Sequence, residues 1–416
     1  MPTAVPSSDS DGAVRLSRAS LFALALNGIV GVGVFFAPAT IVSEGGAGSL
    51  LPAFGLAFAL FCPSLGVFAV LARLLPHDGG PAAHARSVFG ERAGFFVGSI
   101  GYVAALASTA AVLRALGEAV YPAQGRGVAL ALLVLFAALV SRGLTMSARV
   151  WSSLTVLKTL AIATFLGAAW AALPASAEAS AWSWPRGSSV LVAAFCFQGF
   201  EVTSVVAGRG RAARAMIEAF IAAAVVYMVF VWVADRLWTS GRVAFTSADP
   251  YGGLASVLGA RFSHGLGAIV SLSAGGISFG MVAMTPRYAM AAWPALGSRR
   301  ALLGTACLAG LLLVVDSLAQ LFTLATLAVV AQYAASACAL WVKAPRPLMR
   351  ALAAASLGNC AILSLASSAR EAALFVALVF AAALVSRTVI EPTPFRHKRE
   401  CLTSPPADAP SSPLEP

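Results

Sequence analysis

Twelve apolar runs follow one another along a chain of 416 residues, separated by short charged or Gly/Pro-rich breaks. No feature constrains the fold more, because an apolar stretch of about 20 residues satisfies its backbone within a bilayer only as a helix. The runs are Leu16–Ile41, Leu50–Leu74, Ala93–Ala119, Val128–Ser141, Val150–Ala172, Ser188–Gly208, Ala215–Leu237, Leu266–Met290, Ala301–Val315, Ser317–Val342, Leu348–Ala366 and Ala372–Ser386. Only 11% of residues are charged, against about 25% in ordinary soluble domains. A water-soluble fold of this length is excluded, and little sequence remains for a separate soluble domain. The fourth and ninth runs are short for a perpendicular crossing; tilt, shifted ends or a re-entrant course would each account for them.

The net charge of +11 does not point to nucleic acid, because a nucleic-acid protein gathers its basic residues on a solvated face. Here they punctuate the apolar runs. Assigning them to alternating loops and run ends puts 20 of the 28 on the side of both termini and 7 on the other, and leaves Lys158, the only lysine inside a run. By the positive-inside rule the termini are cytoplasmic. The expectation is a multi-pass protein of the cytoplasmic membrane whose surroundings are the lipid bilayer. Residues 1–14 and 389–416 read as disordered cytoplasmic tails, the first without the basic start of a signal peptide. The polar loop Pro76–Arg92 is expected on the cytoplasmic surface as a short amphipathic helix, and Thr239–His264 is the longest outer connection.

Cys62, Cys196, Cys307, Cys338 and Cys360 lie in apolar runs and Cys401 in the tail, without disulfide or metal spacing. His77, His84, His264 and His397 lack carboxylate or cysteine partners at ligand spacing, so no metal site is expected. No zinc-spaced His-Glu pair, serine elbow or Cys/His arrangement is present. No catalytic residue is therefore assigned and an enzyme is not expected.

The first run contains Asn27-Gly28-Ile29-Val30-Gly31-Val32-Gly33-Val34-Phe35-Phe36-Ala37-Pro38. Each glycine weakens a helix by about 1 kcal/mol relative to alanine. Unwinding there would free N–H groups at a half-helix start, suited to a carboxylate. Close packing of helices through small residues is the alternative. The sixth run holds Phe195-Cys196-Phe197-Gln198-Gly199-Phe200-Glu201-Val202-Thr203-Ser204. Gly199 can relax that helix, and Glu201 is an ionisable group deep in apolar sequence, facing either a cavity or a structural partner. Five runs separate the two breaks, and an odd number of spans per repeat inverts the second relative to the first.

Gly31-Val32-Gly33-Val34-Phe35 followed by Pro38 resembles the first-helix signature of the amino acid, polyamine and organocation permeases. The resemblance continues through Gly79-Gly80-Pro81, Phe89-Gly90, Gly94-Phe95, Leu157-Lys158, Phe197-Gln198-Gly199-Phe200-Glu201 and Arg287-Tyr288-Ala289-Met290, covering about the first 290 residues in order. It implies an all-α integral membrane fold of about twelve transmembrane helices. Two inverted five-helix repeats with broken first helices, residues 15–172 and 188–342, would be followed by two C-terminal helices in residues 346–388. It also implies an amino acid or related amine as substrate, moved by symport or exchange. Amides near Val32 and Gly33 would receive the carboxylate, carbonyls near Ile29, Phe195 and Gln198 the amino group, and Phe195 would gate the site. The implied substrate-binding set is Ile29, Gly31, Val32, Gly33, Phe195, Cys196, Gln198 and Gly199, with Phe195, Cys196 and Phe197 favouring an apolar side chain and Glu201 allowing a cationic one. The chain departs from the family at Gly208–Arg214, where an Asn-Pro pair is usual, and at Trp293-Pro294.

Lys158 must find compensating oxygens or give up its proton when withdrawn from water; a snorkelling or structurally paired lysine is the alternative. In proton-coupled permeases a span-five lysine stands where sodium-coupled relatives hold an ion. The resemblance therefore implies protons as coupling ion and no other cofactor, with Lys158 protonation linked to closure and Glu201 a second carrier or a gate. Ser278 and Thr285 are candidates to line the pathway, while Tyr333 and Trp341 read as packing or interface-belt aromatics.

Overall fold

The Gly/Pro and charged breaks partition the chain into helices alone: the computed structural model describes residues 18–31, 33–75, 80–144, 148–173, 180–206, 211–240, 259–292, 296–315 and 317–389, and no strand occurs among them. The helices are α1 (Arg18–Ile29), α2 (Gly33–Gly45), α3 (Leu50–Leu74), α4 (Gly80–Phe89), α5 (Glu91–Val120), α6 (Gly125–Ser141), α7 (Ala148–Ala172), α8 (Gly187–Cys196), α9 (Val202–Val206), α10 (Arg211–Thr239), α11 (Ala260–Ala292), α12 (Ser298–Leu312), α13 (Leu318–Lys343), α14 (Pro347–Leu365) and α15 (Ala369–Val389). Each apolar run is helical where it is described, and the first and sixth are each split in two. Residues 1–14 and 390–416 of the proposed tails lie outside the described residues, and Val389 is instead the last residue of α15.

By length and composition, five helical stretches among the described residues can cross a membrane: Ala47–Leu74, Glu91–Val120, Ala213–Thr239, Leu318–Lys343 and Pro347–Leu365. Shorter apolar helices accompany them. The outer surface fits a lipid solvent. Leu130, Val134 and Leu135 of α6 and Val376 and Phe380 of α15 are all exposed, a density of outward apolar side chains that water does not tolerate. Polar groups turn inward and bond between helices instead: Thr109 with Thr285 at 2.9 Å, Tyr102 with Thr305 at 3.0 Å, Ser64 with Ser356 at 2.9 Å. Such bonds join elements that have no hydrophobic reason to associate in lipid. The protein is thus an all-helical, multi-pass integral membrane protein.

The two split runs sit at the centre. α1 packs on α10, α2 on α8, and α3 touches both α8 and α10. On the other side α5 packs against α11 and α13. Ser188 donates to Glu44 at 2.7 Å, joining the start of α8 to the end of α2.

The loop expected at the surface does hold a short two-faced helix, with Arg86, Ser87 and Phe89 exposed. Its helix, α4, packs against α5 and α13 with Gly80, Pro81, His84 and Ala85 buried; residues 76–79 lie outside the described residues. The physical reason is its small, apolar inner face, which lets it approach the bundle. His84 contacts Ser336 Oγ at 3.4 Å and stands edge-on to Phe68. Burial lowers its imidazole from 6.5 to about 4. Between these values the unfolded chain binds more protons than the folded one, so stability falls as pH drops from 6.5 towards 4, by about 3 kcal/mol at the limit. Thermal unfolding of the solubilised protein should show this loss, and His84→Gln should remove that component; an unchanged profile would contradict the burial argument.

Candidate functional site

α1 ends at Ile29, and the chain passes through Val30 and Gly31 before α2 starts at Gly33. Gly31 N–H turns back to the Ile29 carbonyl at 2.8 Å, so the carbonyls of this turn are released from the helical ladder. Lys158, on α7 and only 2% exposed, occupies them: its Nζ donates to the Asn27 carbonyl at 3.2 Å, to the Val30 carbonyl and to Asn27 Oδ1. Val32 lies outside the described residues.

The second break follows α8, which ends at Cys196. Gly199 adopts φ +103°, and its N–H donates to Glu201 Oε2 at 2.9 Å. The same oxygen accepts from Tyr333 Oη at 2.6 Å. Tyr333 of α13 is therefore the partner of Glu201; its ring packs edge-on to Phe61 and Phe68, as the packing reading expects, while its hydroxyl needs an acceptor once buried. Trp341 is exposed, as a belt residue would be. Gln198 Nε2 donates to Thr326 Oγ1 at 2.7 Å, tying the break to α13.

The two breaks touch through main chain. A Cβ on Gly28 would stand 2.6 Å from the Gly199 carbonyl oxygen, and one on Gly199 would overlap the Gly28 carbonyl. Gly33 faces Cys196 Sγ and the Phe195 ring, its Cβ position 2.9 and 3.3 Å away.

One side chain that the sequence reading passed over bridges both breaks. Tyr227 of α10 directs its hydroxyl at the Ile29 carbonyl, 2.7 Å, and the Cys196 carbonyl, 3.0 Å. These are the last residues of α1 and α8, whose carbonyls lack helical partners. A tyrosine within a run as apolar as α10 was the available signal, because a buried hydroxyl requires a partner. Removing the hydroxyl leaves those carbonyls without it at about 1–3 kcal/mol. Tyr227→Phe should therefore assemble with a lower melting temperature; an unchanged melting temperature would show that the bridge is dispensable.

A cavity of about 220 Å³ opens where the breaks meet. Ile29, Gly31, Gly33, Phe195, Cys196, Gln198, Gly199 and Glu201 all line it. Lys158 does not; it stands behind Asn27, which does. Phe197, expected in the site, is instead fully buried against Phe54, Phe220 and Tyr227, because the irregular turn after Cys196 rotates it to the opposite side. Thr285 lines the cavity, whereas Ser278 bonds back to the Ala274 carbonyl of its own helix. The remaining walls were missed by the sequence reading: Gly101, Ala104 and Ser108 of α5, Met281, Met284 and Tyr288 of α11, Gln332 of α13 and Pro81 of α4. Small residues in a helix carry no signal of function, since packing explains them equally well.

The electrostatics are those of opposed helix ends. α2 starts at the cavity, where a helix presents N–H groups that its own ladder does not pair and the positive end of its dipole, while α1 and α8 end there with carbonyls. An anionic group is favoured at the first and a cationic group at the second. Among the described residues no cluster of His, Cys, Asp and Glu could hold a metal ion.

A family model described as amino acid permease matches residues 16–389. A Corynebacterium glutamicum protein named L-lysine transport protein is 29% identical over 303 residues, which is 65% of this chain and 60% of that protein. An uncharacterized transporter of Mycobacterium tuberculosis is 27% identical over 193 residues, 45% of this chain and 43% of its own length, and one of Mycobacterium bovis matches equally. The matched stretch spans less than two thirds of each relative's length.

Proposed function

The chain belongs to the amino acid permease family, and on that premise we propose that it is a secondary transporter, not an enzyme, moving an amino acid or related amine across the cytoplasmic membrane by alternating access. The observation that carries this reading is the meeting of a half-helix start with two half-helix ends at one cavity. A zwitterion has the complementary pattern, a carboxylate for the N–H groups at Gly33 and an ammonium for the carbonyls near Ile29, Phe195 and Gln198. Phe195 stands over the site as its aromatic gate.

In this reading about twelve helices cross the membrane with both termini cytoplasmic. Residues 15–172 and 188–342 form inverted five-helix repeats, and residues 346–388 supply two further helices. Protons are the coupling ion, carried by Lys158, with Glu201 as a second carrier or gate. A basic amino acid is the first substrate to test, for two reasons. Glu201 is the acidic side chain in the cavity wall among the described residues, and one relative is named for lysine transport.

Counterflow in liposomes tests the reading. Vesicles preloaded with unlabelled lysine, leucine or alanine should accelerate uptake of the labelled compound, and analogues lacking either the carboxylate or the amino group should compete poorly. If no amino acid or amine moved, transport would be refuted; saturable binding without flux would mark a sensor instead.

A further inference from the structure

A protonated Lys158 has three N–H bonds and meets three oxygens: the Asn27 and Val30 carbonyls and Asn27 Oδ1. The first two belong to the main chain and cannot turn without moving the break. The third belongs to a side-chain amide that can. Because an ammonium offers no lone pair, it must face the oxygen edge of that amide. The opposite edge, Nδ2, is buried and has no hydrogen-bond partner among the described residues, and Asn27, 5% exposed, is part of the cavity wall. A buried donor left unpaired costs about 1–3 kcal/mol. An oxygen of a bound substrate would remove that cost.

We propose that Asn27 is a specificity-determining residue whose Nδ2 donates to the substrate carboxylate and whose amide orientation reports the charge on Lys158. The proposal rests on the proton-coupled reading above and deepens it. When Lys158 is an ammonium, Asn27 presents its donor edge towards the substrate. When the proton leaves to water in the cavity, the neutral amine keeps two N–H bonds and gains a lone pair. A half-turn of the amide brings Nδ2 to that lone pair and puts Oδ1 where Nδ2 stood, so the edge offered to a carboxylate becomes repulsive. Substrate and proton thereby bind and leave together.

The other ionisable groups around this segment are engaged in different roles. Tyr227 of α10 serves the Ile29 and Cys196 carbonyls, Glu201 accepts from Gly199 and Tyr333, and Cys196 Sγ faces the Val192 carbonyl. Tyr288 of α11 lines the same cavity. Elsewhere on α1 and α10, Arg18 and Arg214 pair with Glu218, and Asp235 accepts from Ser180.

The test compares alanine, leucine and lysine with their carboxamides as inhibitors of labelled uptake in proteoliposomes, from acidic to alkaline pH. Asn27→Asp keeps an oxygen for Lys158 and replaces the donor by an acceptor. Wild type should prefer the acid over the amide by about tenfold, equivalent to about 1.4 kcal/mol, with the preference shrinking as pH rises. In Asn27→Asp the ratio should fall several-fold and no longer change with pH, the N–H groups at Gly33 keeping the remaining preference. A variant that kept the wild-type ratio and its pH dependence would overturn the proposal, even if all affinities fell together, since that is what a structural role gives. Should Asn27→Asp fail to assemble, Asn27→Ala also removes the donor and is read by the same ratio. Failure of the underlying reading looks different: wild type itself would move amino acids without protons and with a pH-independent ratio, which would overturn the coupling part of the proposal as well.

Discussion

Gly199→Ala should abolish transport, with initial rates at least about 100-fold below wild type, and Gly28→Ala should do the same. Two effects add at Gly199. Its φ of +103° strains any side-chain-bearing residue by about 1–3 kcal/mol, and the new methyl group would overlap the Gly28 carbonyl. Gly28 has only the second problem, a Cβ placed 2.6 Å from the Gly199 carbonyl oxygen, and main chain cannot yield there without shifting both breaks. A displacement of about 1 Å at a site that positions its ligand costs about 100-fold. Gly31→Ala provides the contrast, because no atom lies within 4 Å of its Cβ position. That variant should fold with unchanged thermal stability and show reduced affinity for bulky substrates only, since its methyl enters the cavity. Equal tolerance of all three substitutions would mean that the breaks do not cross as described.

On the proton-coupled reading, Lys158→Ala should have the second large effect, complete loss of the acceleration expected from an inward acid gradient. The substitution removes the group that holds three oxygens of the first break together, leaving each acceptor unpaired at about 1–3 kcal/mol. Counterflow, which needs reorientation of the loaded carrier but no net proton movement, should persist at a reduced rate. Measuring both modes on one preparation separates coupling from folding. A variant that lost counterflow and gradient-driven uptake alike would place Lys158 in the structure of the break, and one that kept full gradient dependence would remove it from coupling.

The positions of both breaks were legible in the sequence, because glycines at 28, 31, 33 and 199 stand out in apolar helices and because Lys158 and Glu201 are the kind of group that a bilayer excludes. Their partners were not. Lys158 meets residues 128 and 131 positions earlier, Tyr333 meets Glu201 across 132 positions, and Tyr227 meets Ile29 across 198. No local pattern encodes such pairings; they follow from how α7, α10 and α13 pack. Phe197 was misread because helical periodicity fails at the very break that defines the site. The α5 wall escaped notice because Gly101, Ala104 and Ser108 are as suited to packing as to lining a cavity.

The most direct test of the account is to record internal pH and labelled amino acid uptake together in liposomes containing the wild-type protein, with no imposed gradient. Substrate added outside should acidify the interior in proportion to the amount taken up, and Lys158→Ala should abolish that acidification. Uptake by the wild type with no proton movement would contradict it.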